Sequence, residues 1–309
     1  MKIARTVAEV RGALAGARRR GEEIGLVPTM GAFHEGHLSL MRRARAECGL
    51  VVVSLFVNPA QFNDPADLDN YPRDERRDAE FAQQAGVDVL FIPAAAEMYP
   101  EGFATSVSVA GVSQPLEGQR RGPEHFAGVA TIVVKLLNIV APDRAYFGQK
   151  DGQQAALIKR LVRDLDIPIR LEICPTVRAP DGLACSSRNV RLSATDRVRA
   201  AALYRALQAA ERAIAEGVSD RAAVLAVARR ELDLARIEPE YLELVDPETF
   251  TTVEQPSGEV LAVVAASLNG TRLIDNHVIQ VPGAHAPGAT PTIVAAGKRA
   301  SKLLARPAA

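Results

Sequence analysis

Two histidines, His34 and His37, stand three residues apart in the stretch Val27-Pro28-Thr29-Met30-Gly31-Ala32-Phe33-His34-Glu35-Gly36-His37. A short apolar run precedes them and an amphipathic helix pattern follows, so they fall where a strand turns into a helix. The first N–H groups of a helix are unpaired, and its dipole adds about half a positive charge there. Two imidazoles beside such an end can donate to phosphate oxygens. A bare pair at this spacing more often only caps or packs a helix. The preceding strand, the following helix and the Pro28-Thr29-Met30-Gly31 turn shift the balance toward an anion site. A zinc-protease reading fails, because that motif places its histidines at i and i+4 of a helix.

Three further stretches carry chemistry of the same kind. Val57-Asn58-Pro59-Ala60-Gln61-Phe62 follows the most apolar run, Val51 to Val57, and so leaves a sheet at its carboxyl edge, where open α/β sheets bind ligands. The Gln61 amide can donate and accept, which suits a hydroxy acid; the plainer reading is an Asn-Pro turn. Phe147-Gly148-Gln149-Lys150-Asp151-Gly152-Gln153-Gln154 again joins strand to helix. Gly148 permits close backbone approach, Lys150 supplies a mobile charge, Asp151 suits ribose hydroxyls, and Gln154 lies one turn past Lys150 on the same side. Asp181-Gly182-Leu183-Ala184-Cys185-Ser186-Ser187-Arg188-Asn189 offers hydroxyls and a guanidinium for phosphate oxygens, or a polar linker. The esterase G-x-S-x-G elbow, the Walker A loop and G-x-G-x-x-G are absent.

The elements that must hold these stretches alternate. Strands are predicted at Ile24 to Pro28, Val51 to Val57, Val87 to Ile92, Arg144 to Phe147 and Ile169 to Ile173. Helices are predicted at His37 to Cys48, Arg73 to Ala85 (with Gly86 as its stop), Val129 to Ile139 and Gln153 to Asp164. Such alternation predicts an α/β fold with a Rossmann-like, doubly wound parallel sheet. After about residue 180 the pattern changes. Ser193 reads as an N-cap with Asp196 at N3, helices are predicted over Asp196 to Ala215 and Asp220 to Glu231, and strands over Tyr241 to Val245, Val260 to Ala266 and Thr271 to Val278. The expected division is residues 1–180 as the Rossmann-like nucleotide-binding unit, 181–281 as a smaller α+β lid domain, and 282–309 as a flexible tail with a short helix at Lys298 to Leu304.

Composition bounds the rest. The 309 residues are 48% hydrophobic and 24% charged, and 37 basic residues balance 37 acidic ones, which argues against a nucleic-acid partner. The three cysteines, Cys48, Cys174 and Cys185, have no metal-like spacing and read as free thiols of a cytoplasmic protein. The N-terminus lacks a signal-peptide core. The nearest approach to a membrane span, Ala130 to Val140, is interrupted by Lys135 and Asn138.

Taken in order, Pro28 to His37, Phe56 to Phe62, Tyr71-Pro72-Arg73, His125-Phe126-Ala127-Gly128-Val129, Phe147 to Gln154, Pro175-Thr176-Val177-Arg178 and Ser186-Ser187-Arg188-Asn189 resemble the pantothenate synthetase (pantoate–β-alanine ligase) family. That family lies within the HIGH-type nucleotidyltransferase superfamily. The resemblance runs over roughly residues 1 to 280 and leaves the tail uncovered. It implies ATP-dependent condensation of pantoate with β-alanine through a pantoyl adenylate, releasing pyrophosphate and then AMP, with nucleotide and pantoate both bound by residues 1–180. It implies that His34 and His37 hold the ATP phosphates, His37 as proton donor, and that Met30 and Gly31 lie against the nucleotide. Pro28, Thr29 and Met30 line the junction with pantoate, while Gln61 and Gln154 grip its hydroxyls and Gln61 also approaches β-alanine. Gly148 and Asp151 meet the ribose, Gln149 belongs with them to the ATP-binding set, Lys150 meets the α-phosphate, and Val177 and Cys185 meet adenine through backbone groups. Ser186, Ser187 and Arg188 close over the triphosphate. Mg²⁺ travels with ATP, so no protein ligands for a metal are expected, and the family resemblance implies a homodimer.

Attack by a substrate carboxylate needs no protein nucleophile. It needs alignment, charge for the departing pyrophosphate, and exclusion of water from a labile anhydride. A lid movement of the second unit, or of residues 63–75, is therefore expected. The sequence also departs from common family forms. Gln149 and Gly152 replace a frequent Glu and aromatic residue, Cys185 a frequent Met, and Ala179-Pro180 an acidic start. The loop Leu116 to His125 is one residue longer than the family's usual loop, which bears on the role near phosphate or β-alanine that the resemblance would give Arg121. The rivals are another adenylyltransferase of the superfamily, which would want basic groups at Gln61 and Gln154, and a nucleotide-binding protein without turnover.

Overall fold

The computed structural model describes residues 1–63 and 65–283. The expected helix at Lys298 to Leu304, and the tail beyond residue 283, lie outside the described residues. The first sheet has six parallel strands: β1 (Lys2–Ala4), β2 (Ile24–Thr29), β3 (Leu50–Leu55), β4 (Val89–Phe91), β5 (Arg144–Gly148) and β6 (Arg170–Cys174), in the order β1-β4-β3-β2-β5-β6. Around it lie α1 (Val7–Arg20), α2 (Glu35–Glu47), α3 (Pro65–Asp69), α4 (Glu75–Gln84), α5 (Ala95–Met98), α6 (Glu117–Arg121), α7 (Pro123–Val140) and α8 (Gly152–Asp164). Then follow α9 (Ala194–Ala200), α10 (Ala202–Ala215), α11 (Arg221–Leu234) and an antiparallel sheet of β7 (Pro239–Val245), β8 (Glu259–Leu268) and β9 (Thr271–Gln280).

The strands read as continuous apolar runs because both faces are covered. Alternate residues go to opposite sides. Leu26, Val52, Ala145 and Phe147 join one core with Val10 and Leu14 of α1, the apolar residues of α7, and Leu157 and Ile158 of α8. Val27, Val51, Val53 and Tyr146 join the other, with Leu40 and Met41 of α2 and Ala82 of α4. Helices on both faces make the sheet doubly wound, as the alternation of elements predicts.

The second sheet shows the same division. Val260, Ala262, Val264 and Ala266 of β8 pack under Leu203, Ala206, Leu207 and Ala210 of α10, a helical i, i+3, i+4, i+7 stripe. Leu261 and Val263 point the other way, into the core of the first sheet. The two sheets therefore share a core. Helix α7 is, among the described residues, the one helix long and apolar enough to cross a membrane by length and composition; it is mostly buried here as the central helix of that core.

Several boundaries differ from expectation for identifiable reasons. Ser193 caps α9 by accepting the Asp196 N–H, as expected, but the predicted single helix to Ala215 divides at Ala201. Helix α7 begins six residues early, at Pro123, because proline fits a first helical position, where no N–H is needed. Strand β1 and helix α1 are additional to the predicted elements. Their signal was the capping box of Thr6 and Glu9, each side chain meeting the other's backbone N–H.

Candidate active site

From β2 the chain runs outward through β3 and β4, while β5 and β6 lie on the other side. Neighbours β2 and β5 thus form a switch point, outside whose carboxyl ends open α/β sheets leave a crevice. The crevice is a cavity of about 630 Å³. It is lined by Pro28, Thr29, Met30, His34, His37, Gln61, Gly148, Lys150, Asp151, Gln154, Val177, Cys185, Ser186, Ser187 and Arg188. Two expected residues are not among those lining it, Gly31 and Gln149.

Gly31 has a different task. Gly31 and Ala32 both have positive φ, 87° and 53°. The buried carboxylate of Asp78, on α4, accepts the N–H groups of Ala32 at 2.8 Å and Phe33 at 2.7 Å. A Cβ on Gly31 would stand 2.9 Å from Asp78 Oδ2. Glycine therefore leaves room for the carboxylate that fixes the turn. Burial pushes the Asp78 carboxyl up, although both N–H groups oppose this.

That turn delivers His34 as the N-cap of α2. Its Nδ1 accepts the Gly36 N–H at 3.1 Å, so its proton sits on Nε2. The His37 ring lies 4.1 Å from it, centroid to centroid. Burial pushes His34 down to about 4 and His37 down to about 3, helped by the charge of nearby Lys150. Both are neutral imidazoles near pH 7, so they offer N–H donors rather than full charges. His37 Nδ1 and Thr176 Oγ1 are buried at the cavity without a protein hydrogen-bond partner among the described residues. Buried polar atoms left so are uncommon and call for a partner.

Gln61 ends a 3-10 turn, Pro59–Gln61, capped by Asn58. Asn58 Nδ2 donates to the Gly128 carbonyl at 3.1 Å and to Gln61 Oε1 at 3.0 Å, while Tyr99 donates to Asn58 Oδ1 at 2.7 Å. Gln61 Nε2 then faces Met30 Sδ at 3.1 Å. His125 Nδ1 lies 2.7 Å from the Gln61 carbonyl, which can only accept, so this nitrogen carries the proton. Thr29 spends its hydroxyl on the Ser54 carbonyl at 2.6 Å.

The Gln149–Asp151 turn sets Lys150 Nζ 3.0 Å from Asp151 Oδ1. Burial would raise Asp151, but Lys150, Arg188 and Arg121 hold it below the usual carboxylate range. Gln149 instead donates to Asn276 Oδ1 on β9 at 3.0 Å. Across the site, Ser186 caps the turn carrying Arg188, whose Nη2 lies 3.8 Å from Asp67 Oδ2 on α3. Arg191 donates to the Asn70 carbonyl at 3.0 Å, so residues 67–70 and 187–191 meet at the rim. Arg121 lines the cavity with its guanidinium on Glu117, 2.8 Å away. Glu117 is buried, which would raise it, yet Arg272 and Arg121 hold it down to about 2. Among the described residues no group of three or more His, Cys, Asp or Glu side chains is placed to hold a metal. All three cysteines are free thiols.

Asp78, Tyr99 and Asn276 belong to none of the motifs above, Asn58 stands there as a turn residue, and His125 only as part of a motif. The Asn58-Pro59 pair was legible as a cap. The other partners come from distant segments and carry no local signal.

Comparison with known proteins adds relatives to this geometry. A family model described as pantoate–β-alanine ligase matches residues 2–278. A pantothenate synthetase of Cereibacter sphaeroides is 53% identical over 281 residues, covering 89% of this chain and 98% of that one. One from Moorella thermoacetica is 50% identical over 284 residues, covering 91% and 99%. The crystal structure of pantothenate synthetase from Thermus thermophilus superposes with a TM-score of 0.85 at 46% identity, covering 90% of this chain and 99% of that one. The pantoate–β-alanine ligase of Francisella tularensis, complexed with β-γ ATP and β-alanine, gives a TM-score of 0.74 at 34% identity, covering 90% and 97%.

Proposed function

The chain belongs to the pantoate–β-alanine ligase family, and on that premise we propose how its cavity carries out the reaction. The protein joins pantoate to β-alanine at the expense of ATP. In our reading a pantoate carboxylate oxygen attacks the α-phosphorus, and the bond to pyrophosphate breaks. The β-alanine amine then attacks the acyl carbon of the pantoyl adenylate, and AMP leaves with the bridging oxygen.

One observation carries this reading. A single cavity brings neutral amides, Gln61 and Gln154, together with Lys150, Arg188, His34 and His37. Neutral amides suit a dihydroxy acid, whereas a phosphate acceptor would want cations there. The apolar residues Phe56, Phe126, Val129 and Val133 on the same cavity suit pantoate's paired methyl groups. Lys150 neutralises charge at the α-phosphate, and Arg188 with Ser186 and Ser187 holds the departing pyrophosphate. His37 Nδ1, without a protein partner among the described residues, and the proton on His34 Nε2 fit phosphate oxygens. Cys185 spends its own N–H on the Val177 carbonyl at 2.9 Å, so adenine would meet the remaining backbone groups of that pair. Pro28, Thr29 and Met30 separate the two substrates.

Mg²⁺, when bound with ATP, offsets charge on the departing pyrophosphate. The carboxylates Asp151 and Asp67 already face Lys150 and Arg188, which fits a metal held by nucleotide oxygens. The rim contacts between 67–70 and 187–191 suit a lid that shuts water out. We place the nucleotide unit at residues 1–180 and the lid unit at 181–281, and we assign a cytoplasmic homodimer. The test is pyrophosphate release from ATP and Mg²⁺ without β-alanine. It should require pantoate, and Lys150→Ala or His37→Ala should lose about a hundredfold in rate. Near-normal turnover of either variant removes that residue from the scheme.

A further inference from the structure

The two loops that flank the nucleotide in this reading are both tied to one dipeptide of the second sheet, Asp275-Asn276 on β9. Arg178, next to Val177, donates to Asp275 Oδ2 at 2.6 Å and Oδ1 at 3.0 Å, and to the Asn276 carbonyl at 3.1 Å. Its guanidinium also stacks on Tyr204, 3.6 Å from the ring centroid. Asn276 reaches the other way. Its Nδ2 lies 2.9 Å from the Gln149 carbonyl and 2.9 Å from the Lys150 carbonyl. Carbonyl oxygens only accept, so the amide orientation is fixed by its partners: nitrogen to the turn, oxygen to Gln149 Nε2. Asn276 is buried, so water does not substitute readily for these bonds. Gly152, at the start of α8, leaves the space; a Cβ there would stand 3.1 Å from Asn276 Nδ2.

We infer that Asn276 is a positioning residue for Lys150, clamping the Gln149–Lys150 turn so that the ammonium is held at the cavity. This rests on the assignment of Lys150 to the α-phosphate. The clamp acts on backbone, so it sets where the lysine stem begins without contributing a charge of its own. A lysine has four rotatable bonds, and a turn free to move lets its ammonium leave the reacting phosphate. Misplacement by about 1 Å costs on the order of a hundredfold in rate. The same dipeptide holds Arg178, so the second sheet fixes both nucleotide loops at once.

A double-mutant cycle with turnover and affinity readouts tests this. Asn276→Ala should lower kcat for pantoate-dependent pyrophosphate release about 10- to 100-fold, with KM for pantoate within about twofold. In Lys150→Ala the same change should add less than about threefold, because a clamp has nothing left to position. Asn276→Ser, smaller and polar, repeats the cycle if the alanine variant does not fold. The cycle is repeated on ATP affinity by calorimetry without pantoate. Coupling there supports the clamp even if pantoate turnover fails in the wild type, a result that would overturn the proposed reaction instead. Full, independent losses from Asn276 and Lys150 in both readouts would overturn the clamp.

Discussion

Asn58 donates its side-chain amide to Gln61 Oε1 at 3.0 Å, and this fixes which end of Gln61 the cavity meets. The same Asn58 nitrogen also serves the Gly128 carbonyl, so it cannot be the oxygen. Gln61 consequently turns its Nε2 toward Met30 and the substrate space. The sequence suggests an amide able to donate and accept; the structure makes it a donor. A ligand atom placed there must accept a hydrogen bond, as a pantoate hydroxyl or carboxylate oxygen can.

The Tyr99 hydroxyl holds the far side of Asn58. Tyr99→Phe removes that donor while keeping the ring against Phe103 and Lys135. A net hydrogen bond of about 1 kcal/mol corresponds to roughly a fivefold effect. KM for pantoate should rise about that much, with KM for ATP unchanged. Steady-state kinetics with each substrate varied checks it; an equal rise for both substrates would argue that Tyr99 acts on the fold.

Helix α7 touches the Gln61 turn backbone to backbone at Gly128. A Cβ there would come 2.2 Å from the Ala60 carbonyl oxygen. Gly128→Ala must push the turn away, at a cost of about 1–3 kcal/mol for an overpacked contact. Urea unfolding should show that loss, and pantoate binding should weaken with it. Unchanged stability would mean that the helix and turn are not so closely packed.

Asp78 satisfies two N–H groups in a turn with two consecutive positive φ values. In Asp78→Asn one of those donors must face an NH₂ group. The expected cost is about 1–3 kcal/mol, the scale of an unmet buried hydrogen bond. Hydrogen exchange at Ala32 and Phe33 should quicken. If both amides keep their protection, the carboxylate is not what holds the turn.

Acid should weaken the fold through the histidines. In an unfolded chain His34 and His37 titrate near 6.5; folded, they sit at about 4 and about 3. Between those limits the unfolded state binds more protons, so stability is full above about pH 6.5 and falls as pH drops toward 3. His125, pushed down to about 4 by burial, adds to the same slope. Urea midpoints between pH 7 and 5 should fall less steeply in His34→Asn/His37→Asn than in the wild type. Equal slopes would show that the two rings are not held neutral.

Local signals carried most of the framework. The run Val51 to Val57 was legible as a central strand because both its faces are buried, although Phe56 and Val57 have already left the sheet. The His34 to His37 stretch was legible because strand, turn and helix follow one another within a few residues. The supports of the site were not. Asp78 lies 46 residues from Ala32, and Asn276 lies 127 from Gln149. Nothing in a carboxylate or an amide marks the distant backbone that it will hold. Gly31 shows the limit clearly: its type fits a phosphate turn, but the group it makes room for is Asp78. Gln149 likewise shares a motif with Lys150, but it spends its amide on Asn276 and does not line the cavity.

In the proposed reaction pantoate's own carboxylate attacks the α-phosphorus. Pantoate labelled with ¹⁸O in both carboxylate oxygens tests it, with ATP, Mg²⁺ and β-alanine present and the products read by mass spectrometry. Attack by the carboxylate places one labelled oxygen in the phosphate of AMP and leaves one in the amide carbonyl of pantothenate. Unlabelled AMP, or label appearing in inorganic phosphate beside ADP, would contradict it.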